Sequence, residues 1–199
     1  MKNPFKSNDP IEISTSIIEP DSWGCLVEGY FWSVKLLLEQ VIESGTFQNK
    51  WVVYPILFNI RHFYELSLKD ILVNLGYIYN ENFLKESHKL DDLIDIVERN
   101  GKKYFIENEL HIGKKLLIKD IEYSMSVIRN EMSEFIKYDN ESFAFRYPYN
   151  KKGANTIEEP MKFNAKMVYN SVLTCRNQLT KMSTQLICDD INPMLNGNE

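Results

Sequence analysis

Glycine and proline are scarce in this chain of 199 residues, with 8 and 7 occurrences. Together with long runs rich in Leu, Ile, Lys and Glu, that scarcity favours helices over a sandwich or barrel of short strands. Cysteine is scarcer still. Cys25, Cys175 and Cys188 are scattered, with no C-x-x-C pair and no nearby histidine, so cysteine spacing supplies no zinc site. Three widely spaced cysteines read as reduced intracellular thiols. No run of 18 apolar residues occurs, which excludes a membrane-spanning helix. The start, MKNPFKSNDPIEIS, is polar and lacks the apolar core of a signal peptide. A cytoplasmic location is therefore expected.

An excess of positive charge is also missing. The formal net charge is −5, which leaves no basic footprint for non-specific nucleic-acid binding, though a local basic pocket stays open. Nucleotide signatures G-x-x-x-x-G-K-[ST] and G-x-G-x-x-G are absent. So are H-E-x-x-H and G-x-S-x-G. The acid pairs Asp91-Asp92 and Asp189-Asp190 are adjacent in sequence, so on a helix their side chains diverge and make poor metal clamps. Kinase, Rossmann dehydrogenase and zinc-hydrolase chemistry have no support, and no metal or cofactor is expected.

What the chain does contain is helix after helix. Residues 1–21 form a polar lead, with a short extended piece expected at Ile11–Ile18. Asp21 or Ser22 can cap a helix from Trp23 to about Ser44, which Gly45 ends. A second helix starts around Trp51, tolerates Pro55 near its first turn and stops at Gly76. Ser87 caps a third, with Leu90, Leu93, Ile94 and Val97 at helical spacing and Asn100-Gly101 as its stop. Lys102 to Ile112 is ambiguous. A fourth helix runs from about Lys114 to Lys137. The segment ESFAFRYPYNKKGANTIEEP then alternates aromatics with polar residues and reads as a loop or small hairpin. A final helix covers about Phe163 to Cys188. The expected fold is all-α: an up-and-down bundle of about five main helices in one domain over 22–190, with a small aromatic insertion and a polar tail at 191–199.

Chemistry concentrates in Pro55–Gly76, a stretch apolar almost all round. At about 100° per residue, Arg61, His62, Glu65 and Lys69 fall within one arc shared with Phe58 and Leu72, while Asp70 points elsewhere and reads as solvated. A helix apolar on most sides is buried, and charge within it must be paired or used. Two readings follow. Arg61–Glu65 and Glu65–Lys69 are i, i+4 pairs, which can form a plain ion-pair ladder. Alternatively, His62 is a proton carrier, Glu65 its orienting carboxylate, and Arg61 and Lys69 supply positive charge. His88 sits at a helix start, where the positive helix end favours the neutral, basic form. Arg146, flanked by Phe145, Tyr147 and Tyr149, can grip a phosphate or carboxylate, or pin its loop to the bundle. His111 stands apart, and Lys151 and Lys152 read as a solvated turn.

Three blocks carry a resemblance: P-x-L-F-x-x-R-H-x-x-E-L-x-L-K over Pro55–Lys69, S-H-K-L-D-D-L over Ser87–Leu93, and F-R-Y-P over Phe145–Pro148. Together they resemble one group of HEPN-like helical proteins, the higher eukaryotes and prokaryotes nucleotide-binding superfamily, found mainly in bacterial toxin, defence and mobile-element contexts. The resemblance implies a compact bundle that often forms homodimers. It also implies an RNA or nucleotide ligand and, in many members, metal-independent ribonuclease activity. The usual catalytic signature of such enzymes is an Arg followed four to six residues later by His, and no Arg of this chain has that neighbour. A nuclease would need another set: His62 and His88 for proton transfer, Arg61 for phosphate charge and Glu65 as orienter, with Arg146, Lys69 and Tyr147 binding substrate. The competing expectation is a non-catalytic module that binds a nucleotide or a partner protein of the same system, its polar arc being structural. Geometry separates the two: an open cleft ringed by His62, His88 and Arg146 favours the enzyme, whereas Arg61 and Glu65 sealed and fully hydrogen-bonded favour the module.

Overall fold

A computed structural model describes residues 23–45, 50–83, 87–112, 115–157 and 161–186. The extended piece expected at Ile11–Ile18, the cap at Asp21 or Ser22, Cys188 and the tail lie outside the described residues, as does the side chain of His111. Among the described residues five helices follow in order: α1 (Trp23–Ser44), α2 (Val53–Tyr79), α3 (Leu90–Ile112), α4 (Lys115–Asp139) and α5 (Ala165–Leu186). A 3-10 turn, Lys50–Val52, leads into α2. The expected all-α bundle is what forms. No helix among the described residues is long and apolar enough to cross a membrane.

The 27-residue α2 is the axis, with 15 of its residues buried. It packs against α1, α3 and α5, while α4 leans on α3 and α5. This is the outcome expected of a helix apolar on most faces. Ile56, Ile60, Phe63, Leu68, Ile71 and Leu72 join residues from every other helix in one hydrophobic cluster. Each such side chain contributes about 1.5–3 kcal/mol on burial. Polar pairs fix the mutual directions of the outer helices. Glu98–Arg129 and Glu122–Lys102 make α3 and α4 antiparallel. Ser124–Gln178 and Glu131–Ser171 do the same for α4 and α5, and Glu28–Arg176 and Glu39–Tyr169 for α1 and α5.

Several expected boundaries move, each for a physical reason. Gly76 does not stop α2. The helix continues to Tyr79 and ends at Asn80, whose φ of 51° is left-handed. The Glu81 amide donates to the Gly76 carbonyl (3.0 Å) and the Asn80 amide to Tyr77 (3.4 Å), the paired bonds of a Schellman ending. Glycine is needed at 76 because a Cβ there would lie 2.6 Å from the Glu81 carbonyl oxygen. Asn100-Gly101 does not end α3 either. Asn100 donates back to the Ile96 carbonyl (3.0 Å), and tertiary packing outweighs the weak helix propensity of the pair. The ambiguous stretch Lys102–Ile112 is thus the second half of α3. At the start of that helix Ser87 accepts only from the Lys89 amide (3.2 Å). The cap of the first turn comes instead from Asn140, whose Oδ1 accepts from the Asp91 amide (3.2 Å).

The aromatic insertion is a tight turn with one isolated bridge, Tyr149 to Asn155, and forms no strand among the described residues. Asn150 Oδ1 accepts from the amides of Lys152 and Ala154. Gly153, at φ 78°, completes the turn. Lys151 and Lys152 are exposed there, as expected.

Candidate functional site

Arg61 organises the polar centre of the molecule. It is one of the largest fully buried side chains, at 0% exposure. Its Nη1 donates to Glu65 Oε2 at 2.6 Å. Its Nε donates to the Asp139 carbonyl at 3.1 Å, and its Nη2 to the carbonyls of Asn140, at 2.8 Å, and His88. The first two carbonyls stand at the C-terminus of α4, where a helix leaves acceptors without intrahelical partners and carries partial negative charge. The third lies just before α3. One guanidinium, with its fixed fork of donors, therefore ties α2 to the end of α4 and the beginning of α3.

Asp139 extends the tie. Its carboxylate accepts from the amides of Phe143 (2.5 Å), Ala144 (2.8 Å) and Phe145 (3.2 Å), anchoring the aromatic loop. Asn140 reaches the other way, donating to Asp91 Oδ1 at 2.8 Å. The three sequence blocks around Arg61, His88 and Arg146 thus meet at one junction.

Glu65, 2% exposed, is the second hub. Besides Arg61, it accepts from Lys69 Nζ at 2.8 Å, and its Oε1 lies 2.7 Å from His88 Nδ1. Burial by itself would raise its pKa. The hydrogen bonds from Lys69 and His88 and the charges of Arg61 and Lys69 outweigh burial and hold the carboxyl at about 2. Burial lowers the pKa of Arg61, against the pull of Glu65 and Asp139.

His62 is set apart from this hub. Its Nδ1 lies 3.9 Å from Glu65 Oε2, too far for a hydrogen bond. The ring stacks on Phe58 (centroids 5.7 Å, 9° between planes) and meets Tyr30 edge-on at 4.5 Å. Burial lowers its pKa, Glu65 works in the opposite direction, and Arg61, Lys69 and Arg146 lower it further. The imidazole is therefore neutral at pH 7.

The fringe of the junction reaches solvent. The His88 side chain is 65% exposed, and Arg146 and Tyr147 are exposed. Arg146 donates through Nε (2.6 Å) and Nη2 to the Ser142 carbonyl. Its guanidinium carbon lies 5.7 Å from the Phe58 ring centre and 5.8 Å from that of Tyr147. Its hydrogen bonds thus close its own loop, while the guanidinium faces Phe58 of α2 and keeps an exposed cationic edge. Lys69 is largely covered.

Of the expected site residues, Arg61, Glu65, Lys69 and His88 share one hydrogen-bonded cluster, and His62 and Arg146 border it along the Phe58 ring. Asp70, expected to be solvated, is instead half-buried, and burial raises its pKa. It accepts from the Ser183 hydroxyl at 2.7 Å, linking α2 to α5. Asp139 and Asn140 were not anticipated. Their signal was the Asp-Asn pair closing an amphipathic helix, a turn-forming dipeptide at a helix end. Among the described residues no group of three His, Cys, Asp or Glu side chains is placed to hold a metal ion. No family model, curated protein or solved structure matches the chain.

Proposed function

We propose that this chain is a HEPN-like helical module of a bacterial defence or toxin-type system that binds a phosphate-bearing ligand, RNA or a nucleotide, without cleaving it. One observation carries the reading: Arg61 has no exposed surface, and its guanidinium is committed to Glu65 and to three backbone carbonyls. A residue so placed holds the fold and cannot meet a phosphodiester. At the rim of the junction an exposed cation, Arg146, lies beside the aromatic rings of Tyr147 and Phe58. Cation and ring together suit a phosphate and its base. In this reading the chain is a cytoplasmic homodimer, working with a partner protein of the same system.

The ribonuclease alternative retains one supporting observation, that His62 and His88 both flank the Glu65 carboxylate. There His62 and His88 would move the protons, and Arg146, Lys69 and Tyr147 would hold the substrate.

Binding is tested by fluorescence anisotropy with a labelled single-stranded RNA oligonucleotide at low and moderate salt. Affinity is expected to fall with salt and to drop at least about tenfold in Arg146→Glu, by loss of one phosphate contact and gain of repulsion. Equal binding by wild type and Arg146→Glu would refute the assignment.

A further inference from the structure

Away from the junction, α4 and α5 leave an open groove of about 840 Å³ between them. Its walls run from Asn130 to Tyr138 on α4 and from Asn164, just before α5, to Thr174, lengths of about 12 and 15 Å at 1.5 Å per residue. That matches between two and three turns of a third helix. Leu57, Phe135 and Phe145 line it as buried apolar residues. Met161 and Met167 line it as well, and Met167 is 69% exposed, a large apolar surface to leave in water. Methionine is flexible and polarisable and adapts to varied partner side chains. The α4 wall carries Glu131 and Glu134, against one cation among the described lining residues, Lys162, at one end.

We infer that this groove binds a basic amphipathic helix of a partner protein, the apolar face of the helix seated over Met167 and Phe135 and its Lys or Arg residues alongside Glu131 and Glu134. Charge decides the occupant. An acidic helix would meet two carboxylates, whereas a basic one gains two ion pairs and covers the exposed methionine, the pattern of helix-in-groove recognition. The groove shares no residue with the cluster around Glu65, so this inference stands apart from the phosphate-ligand reading.

The test uses the full chain and two fluorescent 18-residue amphipathic peptides, one of Leu and Lys, the other of Leu and Glu, titrated by anisotropy. The Leu/Lys peptide is expected to bind at least tenfold more tightly than the Leu/Glu peptide. Met167→Glu and Glu134→Lys, both at exposed positions, are each expected to weaken it at least fivefold with the circular-dichroism melting curve unchanged. Glu43→Lys, at an exposed position near the end of α1, is expected to leave it unaltered. Equal binding of both peptides would overturn the proposal, as would equal loss in Glu43→Lys, which marks mere attraction to an acidic surface. Light scattering supplies the remaining arm: a dimer that Met167→Glu dissolves would assign the groove to a second copy and overturn it too.

Discussion

Replacing Arg61 by Met is the sharpest perturbation of the junction. The substitution keeps an apolar stem of similar length and removes the guanidinium. Glu65 loses its 2.6 Å partner, and the carbonyls of His88, Asp139 and Asn140 lose their donor. Breaking a buried ion pair from one side costs about 3–5 kcal/mol. Each buried acceptor left unmet adds about 1–3 kcal/mol unless water enters. Lys69 and His88 still hold Glu65, which moderates the first term, and water can replace the donor at the part-buried carbonyls of His88 and Asn140, so the loss is set at about 4 kcal/mol. Against a total stability of about 5–15 kcal/mol, that is a large fraction. With a urea m-value of about 2 kcal/mol per molar, the midpoint of the far-ultraviolet circular-dichroism transition falls by about 2 M. Arg61→Lys keeps the charge but not the planar fork and should lose roughly half as much. Adding Glu65→Gln to Arg61→Met removes the stranded carboxylate, so the double variant should be less destabilised than the sum of the singles, by at least about 1 kcal/mol. A midpoint shift below about 0.5 M in Arg61→Met, or strict additivity, would refute the reasoning.

The remaining predictions concern pH and the loop. Glu65 titrates at about 2 in the folded state, against an ordinary value of 4.5. Its contribution is therefore fully present above pH 4.5 and is lost as pH falls from there toward 2, about 3 kcal/mol in all. His62, whose folded pKa is lowered from 6.5, acts in the same direction. Below pH 6.5 the unfolded chain takes up a proton that the folded one resists, so stability declines from that point downward. Urea midpoints at pH 7, 5 and 3.5 should fall in wild type, with a shallower acid limb in Glu65→Gln; parallel profiles would contradict the assignment. Asp139→Ala strips the acceptor from three loop amides and should cost about 2–4 kcal/mol. Limited proteolysis should then cut within 143–157 faster than in wild type, with Asp139→Asn intermediate.

Much of this architecture was legible in the sequence because helices announce themselves by periodicity. Leu90, Leu93, Ile94 and Val97 place one face of α3, and the all-round apolarity of 55–76 marks α2 as the central helix. The failures share one cause. Gly76, Asn100 and Gly101 carry local signals to stop, but packing and close backbone approach decide what they do. Asp70 looks solvated on its own helix, yet Ser183, 113 residues away, covers it. The polar arc was visible as a grouping of residue types, and Phe58 and Leu72 on the same arc hinted at its burial. What no spacing rule could supply was the destination of Arg61. Apart from Glu65 its acceptors are backbone carbonyls, which have no letter in the sequence, brought in by the segment just before α3 and the turn at Asn140.

The most direct measurement is incubation of purified protein with labelled single-stranded RNA in excess EDTA, resolved by gel and by mass spectrometry of the RNA ends. A module whose Arg61 serves only the fold should leave the RNA intact over hours at protein concentrations that saturate binding. Fragments ending in 2′,3′-cyclic phosphate that vanish in His62→Ala would contradict that account and make His62 a catalyst.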